Sequence, residues 1–179
     1  SLYTSPSSFR IGKITADYMV VKGCTEGTSI YVQLGGFMVL DNMLKAFQDE
    51  WSEVAGGAKV EVVDVPLEEF AGAATRITGA VRANPDTSCI FVSSDPMSSG
   101  LVTALKGAGL EIPRIITNYG GAPTMQSISV GEIDSTFPPD ISGDWGFLYA
   151  DAFARAFTGQ SLEPNNKALQ PIWIIDKSN

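Results

Sequence analysis

Short runs of apolar and β-branched residues alternate along this chain with longer segments whose apolar residues recur every three to four positions. The short runs predict strands, and the longer segments predict amphipathic helices. The predicted strands lie at residues 29–34, 59–64, 89–93, 114–118 and 133–137. All but the last are almost continuously apolar or β-branched, which is typical of strands buried on both faces of a parallel sheet.

Helical spacing fills the gaps between these strands. The predicted helices lie at residues 9–22, 40–54, 67–83, 99–107, 124–130 and 143–157. Alternating strands and helices predict a parallel sheet with helices on both faces, joined by right-handed crossovers. We therefore expect a doubly wound α/β fold with strand order 2-1-3-4-5 and a ligand crevice at the carboxyl ends of the strands.

The end of the chain does not fit into this five-strand unit, which already has its helices. A strand-like run at 172–175 follows the last helix. We expect this helix and strand to pack on another body. The broad apolar face of the helix consists of Trp145, Leu148, Ala152, Phe153, Ala156 and Phe157.

Composition narrows the functional classes. The chain has 179 residues, 44% of them apolar and 18% charged, as in one globular domain. Its net charge is −8 and its 12 Lys and Arg are scattered, which argues against nucleic acid as a partner. It contains no histidine, the commonest general base and zinc ligand. No signal-peptide pattern begins at Ser1, so we expect a mature or truncated chain.

Candidate catalytic motifs are weak. Gly35-Gly36 and Gly120-Gly121 follow strands, but neither matches a dinucleotide-binding or phosphate-binding loop, and tight turns are the favoured interpretation. The serines at 94, 98 and 99 lie outside any G-x-S-x-G motif. Glu68-Glu69 is typical of a solvated helix start. The sequence therefore predicts neither an enzyme nor a cofactor.

The residues just past the strands suit a binding site better. Phe37 and Tyr119 could form the aromatic wall of a small-molecule pocket or belong to the core. Asp95 could bind a ligand hydroxyl or cap the helix that follows it, and the two roles are compatible. For Phe137 and Trp145, core packing is the favoured interpretation.

The two cysteines leave two alternatives open. Cys24 and Cys89 precede strands that the predicted order makes neighbours, on the side opposite the crevice. A disulfide would require that proximity and would indicate an oxidising compartment. Two separate buried thiols are the slightly favoured alternative.

Four stretches resemble motifs of the type I periplasmic solute-binding proteins, in the ribose-binding-protein group. They are RIGKITADYMV at 10–20, ANPDTSCIFVSSDPMSSGLVTALKGAG at 83–109, ISVGEIDSTF at 128–137 and FARAFTGQ at 153–160. The second stretch is the most specific. The resemblance covers nearly the whole chain and implies two lobes that close around a ligand at a hinge. Residues 1–140 would form the C-terminal lobe, and 141–179 a hinge crossing with a helix and strand that pack on the N-terminal lobe.

The resemblance also implies positions that face the ligand. Asp41 stands where the ribose group has an arginine, Ser94 where it has an asparagine, and Tyr119 where it has an aspartate, whereas Asp95 is kept. The pentose-binding set is therefore absent, and another sugar, a polyol or a non-sugar ligand is expected. The predicted ligand-binding residues are Phe37, Asp41, Ser94, Asp95, Asn118, Tyr119 and Asp140.

Two functions follow as expectations. The first is an extracytoplasmic receptor, free or lipoprotein-anchored, that delivers a small polar ligand to an ABC-transporter permease. The second is the effector-binding domain of a lac-repressor-family transcription regulator, which shares the fold. In either case, the missing N-terminal lobe or a second chain is expected to cover the helix at 145–157.

Overall fold

The computed structural model describes residues 8–138, 144–162 and 172–178. Its helices are α1 (Ser8–Val21), α2 (Met38–Val54), α3 (Ala73–Ala83), α4 (Leu101–Gly107), α5 (Ala122–Val130) and α6 (Asp144–Phe157). Its strands are β1 (Thr28–Leu34), β2 (Val60–Val65), β3 (Thr87–Val92), β4 (Arg114–Asn118), β5 (Ser135–Phe137) and β6 (Ile175–Asp176).

The strands form one sheet in the order β2-β1-β3-β4-β5-β6. The first five are parallel, so the predicted doubly wound order is confirmed. Helices α1 and α2 pack together on one face of the sheet. Right-handed crossovers then place α3, α4 and α5 on the other face.

Aromatic rings fill the core on the face covered by α1 and α2. Tyr31 of β1 lies between Phe47 of α2 and Phe91 of β3, with ring centroids 4.8 and 5.0 Å away. Phe137 ends β5, contacts Phe91 and Tyr18, and is fully buried. Phe137 is therefore a core residue, the interpretation that its sequence favoured.

Short 3₁₀ helices precede two of the α-helices. A 3₁₀ helix over Leu67–Gly72 precedes α3, and another over Asp95–Ser98 precedes α4. Between the second turn and α4, Gly100 has φ +72°, a conformation that glycine adopts without steric cost. The chain therefore redirects there, and α4 starts later than the sequence predicts.

The two cysteines are joined at the end of the sheet where the strands begin. The Cα atoms of Cys24 and Cys89 are 5.3 Å apart and their sulfurs are bonded. Their preferred assignment as separate thiols is wrong, because Ser29 at the start of β1 pairs directly with Cys89 of β3. The Ser29 hydroxyl also donates to the Cys24 carbonyl at 2.8 Å, which holds the preceding turn against the sheet.

The last two elements behave differently from each other. Strand β6 pairs antiparallel with β5, so the trailing strand lies at the edge of this sheet. Helix α6 exposes Phe147, Phe153 and Phe157. Packing of this helix on a second lobe stays a prediction. Within the described ranges, no helix has both the length and the apolar character needed to cross a bilayer.

Candidate functional site

The carboxyl ends of the parallel strands meet at one edge of the sheet, here called the carboxyl edge. It consists of the segments that follow the strands, at residues 35–37, 66–69, 93–96, 119–121 and 138. Large apolar side chains remain exposed there. Phe37 is 43% exposed and Tyr119 is 40% exposed, and Met38, Val39 and Leu67 are exposed beside them. This edge is therefore an open apolar rim.

Tyr119 has an unusual backbone. Its φ is +88°, the only positive value at a non-glycine residue within the described chain. Its backbone N–H donates to the Phe137 carbonyl at 3.2 Å, which ties the residue to the end of β5. Such a conformation costs of order 1–3 kcal/mol and is often found at functional sites. The tyrosine is thus held in a strained turn with its ring half-exposed.

The Tyr119 hydroxyl is protonated at neutral pH. Burial raises its pKa above the ordinary value, and the negative charge of Asp95 raises the pKa further. A neutral phenol can both donate and accept a hydrogen bond. Tyr119 therefore offers a ring face and a polar hydroxyl at the carboxyl edge.

Asp95 caps a helix, but not the one that follows it. Its 3₁₀ turn has no side-chain cap. Instead, Oδ2 accepts hydrogen bonds from the Gly121 backbone N–H and the Thr124 hydroxyl, each at 2.7 Å. Gly121 directly precedes α5 and Thr124 lies in its first turn, so Asp95 caps α5 from the neighbouring strand end. Of the two roles left open for Asp95, capping of the helix that follows it is not observed, because the Oδ2 atom faces the adjacent loop.

Gln33 and Asp41 form a polar pair at the end of β1. The Gln33 side chain is 2% exposed, and its Nε2 donates to Asp41 Oδ1 at 3.0 Å. The Gln33 Oε1 atom is buried without a hydrogen-bond partner in the described residues. Asp41 itself is exposed in the first turn of α2.

Asn118 lies beneath the rim rather than on it. It is 1% exposed, and its Nδ2 donates to the Ser93 carbonyl at 3.3 Å and lies 3.8 Å from Met43 Sδ. Its Oδ1 is a second buried acceptor with no partner in the part of the chain that the structure describes. Ser94, the next residue after Ser93, is half-buried at the start of its 3₁₀ turn.

The structure brings most of the predicted residues to one edge. Of the six described members of the predicted set, Phe37, Ser94, Asp95 and Tyr119 lie at the carboxyl edge. Asp41 lies in the first turn of α2, and Asn118 ends β4 beneath the rim. Asp140 lies outside the described residues, as does the side chain of Trp145. That these residues contact a ligand stays a prediction.

Gln33 was missed by sequence reasoning. It lies inside the run SIYVQL, whose other residues predict a buried strand, so the run as a whole does not single out its glutamine. The signal that could have found it is the polar side chain itself, one residue before the strand ends. Buried amides need hydrogen-bond partners, so such a position is informative.

Solved structures resemble this chain closely in fold. One is a periplasmic solute-binding protein of an ABC transporter from Actinobacillus succinogenes with bound D-allose. That match covers 99% of this chain and 61% of the other protein, with a TM-score of 0.81 and 16% identity. The match to a carbohydrate transporter from Acidothermus cellulolyticus in complex with myo-inositol covers 99% of this chain and 60% of the other protein, again with a TM-score of 0.81 and 16% identity. The fructose-binding periplasmic domain of a hybrid two-component system gives the same TM-score and identity, with 99% and 59% coverage.

These likenesses span only part of the other proteins. The chain matches about three-fifths of each of the three structures. Neither a protein-family model nor a curated protein sequence matches it. At the identities above, the likeness concerns the arrangement of helices and strands. The chain has the fold of one lobe of a type I periplasmic solute-binding protein.

Proposed function

We propose that this chain forms the C-terminal lobe of an extracytoplasmic solute-binding protein, and that it holds a small polar ligand, sugar- or polyol-like, against its carboxyl edge. The observation that carries the proposal is Tyr119, which is half-exposed at the strand ends and is held at φ +88°. A flat ring suits the apolar face of a sugar, and its hydroxyl supplies a hydrogen bond. Phe37 offers a second ring on the same edge.

The ligand is proposed to lie between two lobes. The carboxyl edge is open, and this chain matches about three-fifths of the length of proteins with the same fold. A second lobe would cover the rim and also the exposed side chains of α6, Phe147, Phe153 and Phe157. Burying each such ring is worth roughly 1.5–3 kcal/mol, so lobe packing would be strongly favoured. Hinge closure around the ligand would then present the closed form to a permease.

An extracytoplasmic location agrees with the disulfide. Cys24 and Cys89 are bonded and buried. Disulfides persist in the periplasm and outside the cell, and they are rare in the cytosol. The proposal therefore places this protein in the periplasm or at the outer face of the cell membrane.

A sensory role is the second candidate. One of the structures with this fold is a periplasmic domain of a hybrid two-component system. The lobe that binds the ligand would be the same in both roles, and only the partner of the closed form would differ. Cross-linking the liganded protein in cells distinguishes the two roles. A cross-link to a permease would support transport, and a cross-link to a membrane-bound histidine kinase would support sensing.

A thermal-shift screen of neutral sugars and polyols tests the proposal on the protein with its second lobe. A ligand at 100 times its Kd raises the free energy of unfolding by about 2.7 kcal/mol, which raises Tm. We expect at least one compound to do so. If no sugar or polyol shifts the Tm of a folded sample, the proposed ligand class is wrong.

The variant Tyr119→Gly shows whether the hit binds at this edge. Glycine accepts the positive φ, so we expect the free energy of unfolding without ligand to stay level or rise by about 1 kcal/mol. We expect ligand affinity to fall at least about tenfold because the ring is lost. Tyr119→Phe, the matched control, keeps the ring and should retain most of the affinity. Unchanged affinity in Tyr119→Gly would place the ligand elsewhere.

A further inference from the structure

Helices α4 and α5 leave a groove between them, on the face of the sheet opposite α1 and α2. The cavity has a volume of about 330 Å³, within the usual size range for small-molecule sites. Its apolar wall is formed by Pro96, Val102, Pro123 and Ile133. The groove shares Asp95, Pro96 and Gly121 with the carboxyl edge, but neither Phe37 nor Tyr119 lines it. The inference below does not depend on the proposed function.

Hydroxyl groups and carboxylates supply the polar part of the groove. Ser98, Ser99, Thr103 and Ser127 line it together with Asp95 and Glu132. No lysine or arginine is among its lining residues. Lys106 forms an ion pair with Glu132 at 3.5 Å, but both side chains are exposed and such pairs are weak. The groove therefore has a negative electrostatic character.

Asp95 gives the groove a strong hydrogen-bond acceptor. The residue is 5% exposed, and both hydrogen bonds that its carboxylate accepts within the described residues end on Oδ2. Oδ1 accepts none from those residues. Because Oδ1 takes no part in these bonds, it can accept a charge-assisted hydrogen bond from a cation bound in the groove. The groove thus combines a cavity, an apolar wall and a half-bonded buried anion.

We propose that the groove between α4 and α5 binds a small organic ammonium compound, with the ammonium group donating to Asp95 and the apolar body lying along Val102 and Ile133. An ammonium group has three donors and a positive charge, so it matches one carboxylate oxygen and adjacent hydroxyls. An anion would be repelled by Asp95 and Glu132. A neutral alcohol would make the hydrogen bond without the charge attraction.

Three probe compounds that share the same apolar group test the selectivity for an ammonium group, with the full chain as the protein. Benzylamine, benzyl alcohol and benzoate differ in the charge of the head group. We expect benzylamine to shift the amide resonances of Gly121, Thr124 and Ser99 saturably, because Gly121 donates to Asp95. We expect benzyl alcohol to bind at least tenfold more weakly and benzoate not to saturate. Equal binding of all three, or tighter binding of benzoate, would overturn the proposal.

Two test variants, each with a control variant, locate the binding without changing the Asp95 hydrogen bonds. Thr103→Trp places an indole in the groove from an exposed position on α4, and it should weaken benzylamine at least tenfold. Ser129→Trp adds the same side chain at an exposed position of α5 outside the groove, and it should leave the affinity unchanged. Glu132→Gln removes one lining charge and should weaken benzylamine severalfold, whereas Glu111→Gln, outside the groove, should not. Benzylamine shifts that survive Thr103→Trp, or that never saturate, would show that the groove is not the site.

Discussion

The two ends of the sheet differ in how they are linked and covered. At the amino edge, where the strands begin, Cys24 and Cys89 are bridged, and Arg114 pairs with Asp134 across neighbouring strands. At the carboxyl edge, large apolar side chains stand exposed. Within the described residues, buried polar atoms without a hydrogen-bond partner occur at both ends, on Asp134 and Ser135 at the amino edge and on Gln33 and Asn118 at the carboxyl edge. One end of the same five parallel strands is fastened, and the other is open.

Two asparagines make the contrast concrete. Asn84, at the amino edge, accepts a hydrogen bond from Lys59 Nζ at 2.7 Å and donates to Glu61 Oε2 at 2.7 Å. Asn118, at the carboxyl edge, makes a long bond to a backbone carbonyl and contacts a methionine sulfur. Both are buried. Burial alone therefore does not distinguish an amide with strong side-chain partners from one whose acceptor has none, whereas the hydrogen bonds do.

Removing the disulfide should have the largest effect on stability. The bridge closes a segment of 65 residues. We expect the double variant Cys24→Ala, Cys89→Ala to lower the free energy of unfolding by about 2–5 kcal/mol, as native disulfides in small domains typically do. Urea unfolding measures the loss.

The same variant sharpens the contrast between the two ends. Because the bridge lies at the amino edge, the folded double variant should keep the affinity of the unmodified protein for any ligand found at the carboxyl edge. The single variant Cys24→Ala should lose as much stability as the pair. A loss below about 1 kcal/mol would mean that the bridge does not fasten this end.

Matched substitutions at the two asparagines should have intermediate effects. Asn84→Ala leaves Lys59 and Glu61 without their partner, so we expect it to lower the free energy of unfolding by about 1–3 kcal/mol. Asn118→Ala also removes an unpartnered acceptor, which offsets the lost contacts, and we expect a loss under about 1 kcal/mol. Chemical denaturation of both variants under one condition gives the order.

We expect Asn84→Ala to lower the free energy of unfolding more than Asn118→Ala does. If Asn118→Ala were the more destabilising, the weak bond to Ser93 would be structural and the two ends would not differ as described. The variant Asn118→Leu provides a control of similar size, since it roughly keeps the side-chain shape and removes both the Nδ2 donor and the Oδ1 acceptor without adding a charge.

The smallest effect concerns the edge strand β6 at low pH. Hydrogen bonds from the Ser178 hydroxyl and backbone N–H lower the pKa of Asp176, and Lys22 lowers the pKa further. A carboxyl group with a lowered pKa contributes stability above its unfolded pKa and loses it as pH falls through the folded value. We therefore expect the turn after β6 to loosen only at pH values below about 4.

The Ser178 amide resonance reports this titration. Its midpoint should lie below the usual aspartate value of about 3.9. The variant Ser178→Ala removes the hydroxyl donor and should raise the midpoint toward that value. A midpoint that does not move in the variant would mean that the hydroxyl does not stabilise the charged form.

The sequence determined the architecture of the sheet. Five apolar runs separated by helical spacing led to the observed order, because periodicity records which faces are buried and right-handed crossovers restrict the connections. It also determined where to look for a site, since the carboxyl ends of parallel strands share an edge. Phe37 and Tyr119 were found in this way, and both are half-exposed there.

Only the tertiary structure decided which groups are partners. A cap on its own helix was one of two roles left open for Asp95, but its carboxylate bonds to Thr124, which is 29 positions away. Separate thiols were slightly favoured, but Cys24 and Cys89 are bonded. The trailing strand was expected on another body, but β6 pairs with β5. A local pattern encodes burial and spacing, whereas the pairing of distant groups depends on strand register and loop direction, which the packed chain alone fixes.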